Sequence, residues 1–107
     1  MPDKEPGEAL DQLIRSTLHM DWNCDYDNVY DAIDKSWFAQ AGAWPDVHEP
    51  VIADIDLLFA ETSSAEERLA QWPNTGIRLE QVDDLLRAIR KRAVDALAGK
   101  PEPMRAP

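Results

Sequence analysis

Apolar residues return at three- and four-residue intervals along most of this chain, and alternating runs of Val, Ile and Thr are absent. That periodicity predicts helices. Leu10, Leu13, Ile14, Thr17 and Leu18 fall on one stripe of a helix predicted to start near Pro6, since proline suits a first helical position. Asn28 is placed to cap a second helix, with Asp31 in its first turn and Val29, Ala32, Ile33 and Trp37 on its inner face. Gly42 and Pro45 are read as its end. A third helix is predicted from Glu49 and Pro50 to Ala60, with Val51, Ile52, Ile55, Leu58 and Phe59 facing inward. Ser64 and Glu67 have the spacing of a capping box, and the short helix they open carries Leu69 and Trp72. Pro73, Asn74, Thr75 and Gly76 form a turn. In the last helix Leu79, Val82, Leu85, Leu86, Ile89, Ala93 and Leu97 share a face, and Gly99 and Pro101 stop it. The expected fold is all-α, a compact single-domain bundle of four to five helices ordered over about residues 6–99, with residues 100–107 a loose tail.

Charge changes this picture. The 107 residues carry 21 acids against 11 bases, a formal net charge of -10. The imbalance is lopsided: residues 1–67 hold 16 acids and three bases, whereas residues 68–107 hold five acids and eight bases. Such a surface repels phosphate, which argues against direct nucleic-acid or anionic-membrane binding. It attracts basic proteins and speeds their capture. Arg87, Arg90, Lys91 and Arg92 crowd the last helix and are read as a solvated face rather than an RNA contact. Cys24 is alone, so no internal disulfide forms. The N-terminal residues lack the basic start and apolar run of a secretory signal, and no segment approaches the length of a membrane helix. A cytoplasmic location is expected.

The densest candidate chemistry is HMDWNCDYDN, residues 19–28. Asp21, Asn23 and Asp25 match positions one, three and five of a helix-flanked calcium loop. Tyr26 then stands where that loop needs glycine, and Ala32 where it needs a bidentate glutamate. His19, Cys24 and His48 lack the paired spacing of a zinc site. No metal and no cofactor are therefore expected. Neither a Cys24–His19 pair nor any pair of carboxylates has the surroundings catalysis needs, so an enzyme is not expected. A protein-binding surface accounts for more residues. Asp27, Asp31 and Asp34 are spaced four and three apart and form a ridge whose mutual repulsion a cationic partner would relieve. Trp22, Tyr26 and Tyr30 lie among them, of the residue types that anchor interfaces, although Trp22 reads first as a core residue beneath the loop.

Leu18-His19-Met20-Asp21-Trp22, then Asp25-Tyr26, then a short acidic helix, resembles a family of bacterial immunity proteins that accompany contact-dependent growth inhibition toxins. In that family an aromatic residue, a His, a variable residue and Asp-Trp precede an Asp-Tyr pair, and Leu18 stands here in place of the leading aromatic. The third helix also fits the family's order. The resemblance spans residues 9–98, its distinctive part is 18–26, and the segment after Pro73 departs from the pattern. It implies a small cytoplasmic antidote without catalysis of its own, bound one-to-one to a toxin domain, often a nuclease acting on transfer RNA. A nuclease presents a basic cleft that an acidic antidote can occupy in place of the substrate. On that reading Asp25, Asp27, Asp31 and Asp34 pair with Lys or Arg of the toxin, and Tyr30, with Trp22 or Tyr26, supplies the apolar centre. Asp21 and Trp22 can instead hold the loop in shape. The alternatives are an acidic adaptor for another basic protein and a small metal-binding module.

Overall fold

Helix α1 (Glu8–Thr17) forms on the predicted stripe, with Ala9, Leu10, Leu13, Ile14 and Thr17 buried. The computed structural model describes residues 7–18, 26–41, 45–72, 75–100 and 102–104. The helix opens one step after Gly7, whose φ of 88° is a left-handed conformation that favours glycine. No side chain of its own caps this end. A carboxylate arrives from elsewhere in the fold: Gly7 N donates to Asp54 Oδ1 at 3.0 Å and Leu10 N to Asp54 Oδ2 at 3.1 Å. An anion here meets both the orphan amides and the positive end of the helix dipole. Asp54→Ala should therefore cost about 1–2 kcal/mol in urea unfolding, the range of a lost N-cap. A wild-type midpoint would show that water replaces the carboxylate without loss.

Helix α2 starts at Val29–Ile33, with Asn28 Oδ1 accepting from Asp31 N at 3.0 Å as the sequence predicts. It then widens into a π-helical stretch, Asp34–Phe38, and closes as Ala39–Ala41. The widening changes which aromatic faces inward. An α-helical step of four from Ile33 reaches Trp37, whereas the π step of five reaches Phe38. Phe38 is 2% exposed and Trp37 only half-buried at the core's edge.

Helix α3 runs from Pro45 to Glu61, four residues earlier than predicted. Pro45 opens α3 rather than terminating α2, and Pro50 lies inside it. A proline one turn into a helix forfeits one amide donor without breaking it here. Val51 and Ile55 are fully buried and Ile52, Leu58 and Phe59 partly so. Helix α4 (Ala65–Leu69) begins at Ser64, whose hydroxyl accepts from Glu67 N at 3.3 Å. The return half of the expected box shifts by one residue: the Glu67 carboxylate takes Ser63 N and Ser63 Oγ instead of Ser64 N.

Helix α5 (Val82–Leu97) buries Val82, Leu85, Leu86, Ile89, Ala93 and Ala96. It starts three residues after Leu79, which is 44% exposed and not part of the apolar face. Among the described residues these five helices and no strand make an all-α bundle. α3 packs between α1 and α5, and α2 closes the side of α1. Leu13, Ile14, Leu18, Ile33, Phe38, Val51, Ile55, Leu85, Leu86 and Ile89 fill one core. Each such side chain is worth about 1.5–3 kcal/mol in transfer free energy. The tail differs from expectation. Residues 102–104 fold back, and Met104 is 6% exposed within the core.

Candidate interaction surface

The ridge predicted on α2 is only partly available to a partner. Asp27 is exposed and Asp31 half-buried. Asp34 is turned inward: its Oδ1 accepts from Arg92 Nε at 3.1 Å and from Met104 N at 3.2 Å. Its side chain is 15% exposed, and that of Arg92 9%. Arg92 also lies over the Phe38 ring at 5.0 Å. The expected roles of both residues are therefore corrected. Asp34 is an internal partner, and Arg92 leaves the solvated face because α5 points it at α2.

Tyr30 is 2% exposed and belongs to the core rather than to an interface. On α2 it precedes Asp31 by one residue, 100° around the helix, so it cannot share the outer ridge. Burial, with a smaller contribution from the Asp84 charge, holds its hydroxyl above the usual phenol range. Tyr26 is half-buried, and its hydroxyl accepts from Ser36 Oγ at 2.9 Å. Trp22 and Asp25 lie outside the described residues, as do His19, Asp21 and Cys24. Of the predicted surface, the structure thus keeps Asp27 and Asp31 at hand.

The cations are largely matched by acids within the fold. Arg90 grips Asp56 through Nε at 2.8 Å and Nη2 at 3.2 Å, and this hydrogen bonding holds the Asp56 carboxyl below its ordinary range. Lys91 meets Asp95 at 2.8 Å, and Arg87 meets Asp84 at 3.6 Å. Arg15 pairs with Asp11 at 2.8 Å, and the same carboxylate oxygen accepts from Trp72 Nε1 at 3.2 Å. Arg68 is the deepest outside the Asp34 node, 7% exposed. It donates to both Asp83 oxygens at 2.6 and 2.8 Å and to Thr62 at 2.8 Å, and lies 4.6 Å over Phe59. These bonds hold Asp83 below the usual carboxylate range. Seven of the nine described Lys and Arg residues stand within 4.0 Å of a described acid; Lys35 and Lys100 have no such pair among the described residues.

The acids left over gather elsewhere. Asp46, Glu49, Ala53, Asp56, Leu57 and Glu61 are exposed on α3. At 100° per residue they occupy one stripe of a 17-residue helix, about 25 Å long. Asp46, Glu49 and Glu61 have no ion pair among the described residues, and α3 contains no Lys or Arg. Leu57, 37% exposed, gives the stripe an apolar point between them. The signal was present in the sequence: no Lys or Arg occurs between Lys35 and Arg68, a stretch with seven acids.

No family model, curated protein or solved structure matches the chain. Among the described residues no group of three His, Cys, Asp or Glu side chains could hold a metal ion, and no helix is long and apolar enough to cross a membrane. What the arrangement offers is a helix face on which Asp56 is held by Arg90 while Asp46, Glu49 and Glu61 have no ion pair among the described residues, and, separately, the exposed Asp27 ahead of α2.

Proposed function

We propose that this protein is an immunity protein of the contact-dependent growth inhibition type. It binds a cognate toxin domain one-to-one in the cytoplasm and covers the toxin's basic, nuclease-like cleft with an acidic surface. The observation that carries this reading is the separation of charge. Most described cations are spent on internal pairs, while Asp46, Glu49 and Glu61 on α3, and Asp27 just before α2, have no ion pair among the described residues. Glu61 is informative in a second way. A carboxylate at the C-terminal end of a helix opposes the dipole and costs stability, so its presence there is better accounted for by binding than by folding.

The surface differs from the one the sequence suggested. The contact is centred on the outer stripe of α3, with Leu57 as the apolar point. Tyr30 and Asp34 support it from beneath. Acids in this position act as a substitute polyanion, steering a basic cleft toward them and then blocking substrate entry. The resemblance over residues 18–26 supports the immunity role, although it implied a contact through residues 25–34 rather than through α3.

The test is co-expression with the toxin domain encoded directly upstream, read by pull-down and by rescue of growth. Co-elution at low salt and restored growth are expected. Separate elution with no rescue would end the reading. Capture of a basic protein that is not toxic would assign the surface to an adaptor.

A further inference from the structure

The π turn of α2 takes Trp37 out of the core and leaves it where three helices meet. Among the described residues, Ala9 and Gln12 of α1, Trp37 of α2, and Asp46 and Val47 of α3 line a cleft there of about 160 Å³. That is below the range of about 300–1,000 Å³ usual for small-molecule sites, and it suits a single long side chain. The Trp37 Nε1 is buried, so the cleft meets ring carbon rather than the indole donor. Ala9 and Val47 extend this apolar wall.

The polar side of the cleft is rich in acceptors. Asp46 is exposed and has no ion pair among the described residues. Its main-chain carbonyl is short of a donor as well. An α-helical carbonyl takes the amide four residues on, and four residues after Asp46 stands Pro50, which has none. Gln12 adds an amide oxygen, and no Lys or Arg lines the cleft. The positive end of α3 is near, equivalent to about half a unit charge, but the full charge of Asp46 leaves the balance negative. The larger cleft beside Asp11 and Asp54 differs, because its carboxylates are taken: Asp54 by the amides of Gly7 and Leu10, and Asp11 by Arg15 and Trp72.

We propose that the Trp37–Asp46 cleft receives one arginine side chain of the basic partner. The stem lies on the Trp37 ring and Val47, and the guanidinium meets the acceptors of Asp46. Arginine fits better than lysine, because its planar head stacks on aromatic faces, presents a fork of donors and holds water less tightly than an ammonium. The fold itself uses this contact, with Arg68 and Arg87 over Phe59 and Arg92 over Phe38. Trp37 offers a larger ring of the kind that attracts cations best, and no cation lies over it among the described residues. The inference rests on the basic-partner reading of α3, whose acidic stripe begins at Asp46, and adds to it an anchoring contact.

The first probe is acetyl-arginine amide, titrated at constant ionic strength into the isotope-labelled full chain and followed by NMR. The Trp37 indole and Val47 amide resonances should shift together and saturate, with a Kd on the order of 10 mM. Acetyl-citrulline amide, which keeps the shape without the charge, should bind about tenfold more weakly. Asp46→Asn and Trp37→Leu should each weaken arginine binding about threefold. Asp46 is exposed, so its variant keeps the test open if Trp37→Leu loses its helical circular dichroism. Shifts that never saturate, that spread evenly along the α3 acids, or that citrulline reproduces would overturn the proposal. The toxin domain encoded directly upstream separates the two readings. Equal capture by the parent and both variants would remove the cleft from the interface while the immunity reading stands. A saturable arginine response without capture of the toxin would keep the cleft and end that reading.

Discussion

Replacing Asp34 with alanine should cost the fold about 3 kcal/mol, although its spacing in the sequence places it on an outward acidic ridge. Breaking a buried ion pair by removing one partner costs about 3–5 kcal/mol, because the surviving charge stays desolvated. Here that charge is Arg92, 9% exposed and lying over Phe38. Asp34 itself keeps 15% exposure, which lets some water in and places the estimate at the low end. The change also removes the acceptor for Met104 N, so the folded-back residues 102–104 lose their one main-chain bond to Asp34. Asp34→Asn should cost about half as much, since its amide oxygen still accepts from Met104 N while the charge is gone. Urea melts of the two variants separate the effects. A loss below about 1 kcal/mol for alanine would mean that the node is hydrated and worth no more than a surface pair. Once corrected for the folded fraction, both variants should bind a basic partner as the parent does, because Asp34 faces inward.

The fold was legible where apolar spacing and capping chemistry act locally. The α1 and α5 stripes, the Asn28 cap and the Ser64 start all follow from residues within one or two turns. Errors arose where a distant residue decides. Pro50 carries a start signal, but Pro45 carries the same one earlier and the helix takes the earlier option. The Gly7 end of α1 is capped by Asp54, 47 residues away, which no local pattern reveals. The π turn at Asp34–Phe38 moved Phe38 inward, and with Arg92 nearby it made Asp34 structural rather than interfacial. The site was half legible for the same reason. An acidic residue's charge is visible in sequence, but whether a cation from another helix cancels it depends on packing. Asp34 and Asp56 meet such cations, and among the described residues Asp46, Glu49 and Glu61 do not.

That distinction yields the sharpest test of the proposed surface. The triple change Asp46→Lys, Glu49→Lys and Glu61→Lys should leave the fold close to wild-type stability. Asp46 sits in the first turn of α3 and Glu49 one turn in, so reversal there works against the helix dipole, by about 0.3–1 kcal/mol for the first-turn residue. Glu61 sits at the opposite end, where reversal to lysine gains a similar amount. The two contributions offset, and Asp56 is left in place because Arg90 already holds it. Binding should respond far more. Three reversals change the charge of the face by six units, and close charge pairs at such interfaces couple by about 1.5 kcal/mol or more each. The affinity for the basic partner should fall at least about a hundredfold at low salt and much less at high salt. Calorimetry at two ionic strengths, beside a melt of each protein, distinguishes this from misfolding. A folded triple variant with parental affinity would remove α3 from the interface. A matching change at Asp27 and Asp31 would then show whether α2 alone carries the contact. Weakening in both sets, with the larger loss on α3, is the result that fits a partner seated along the α3 stripe.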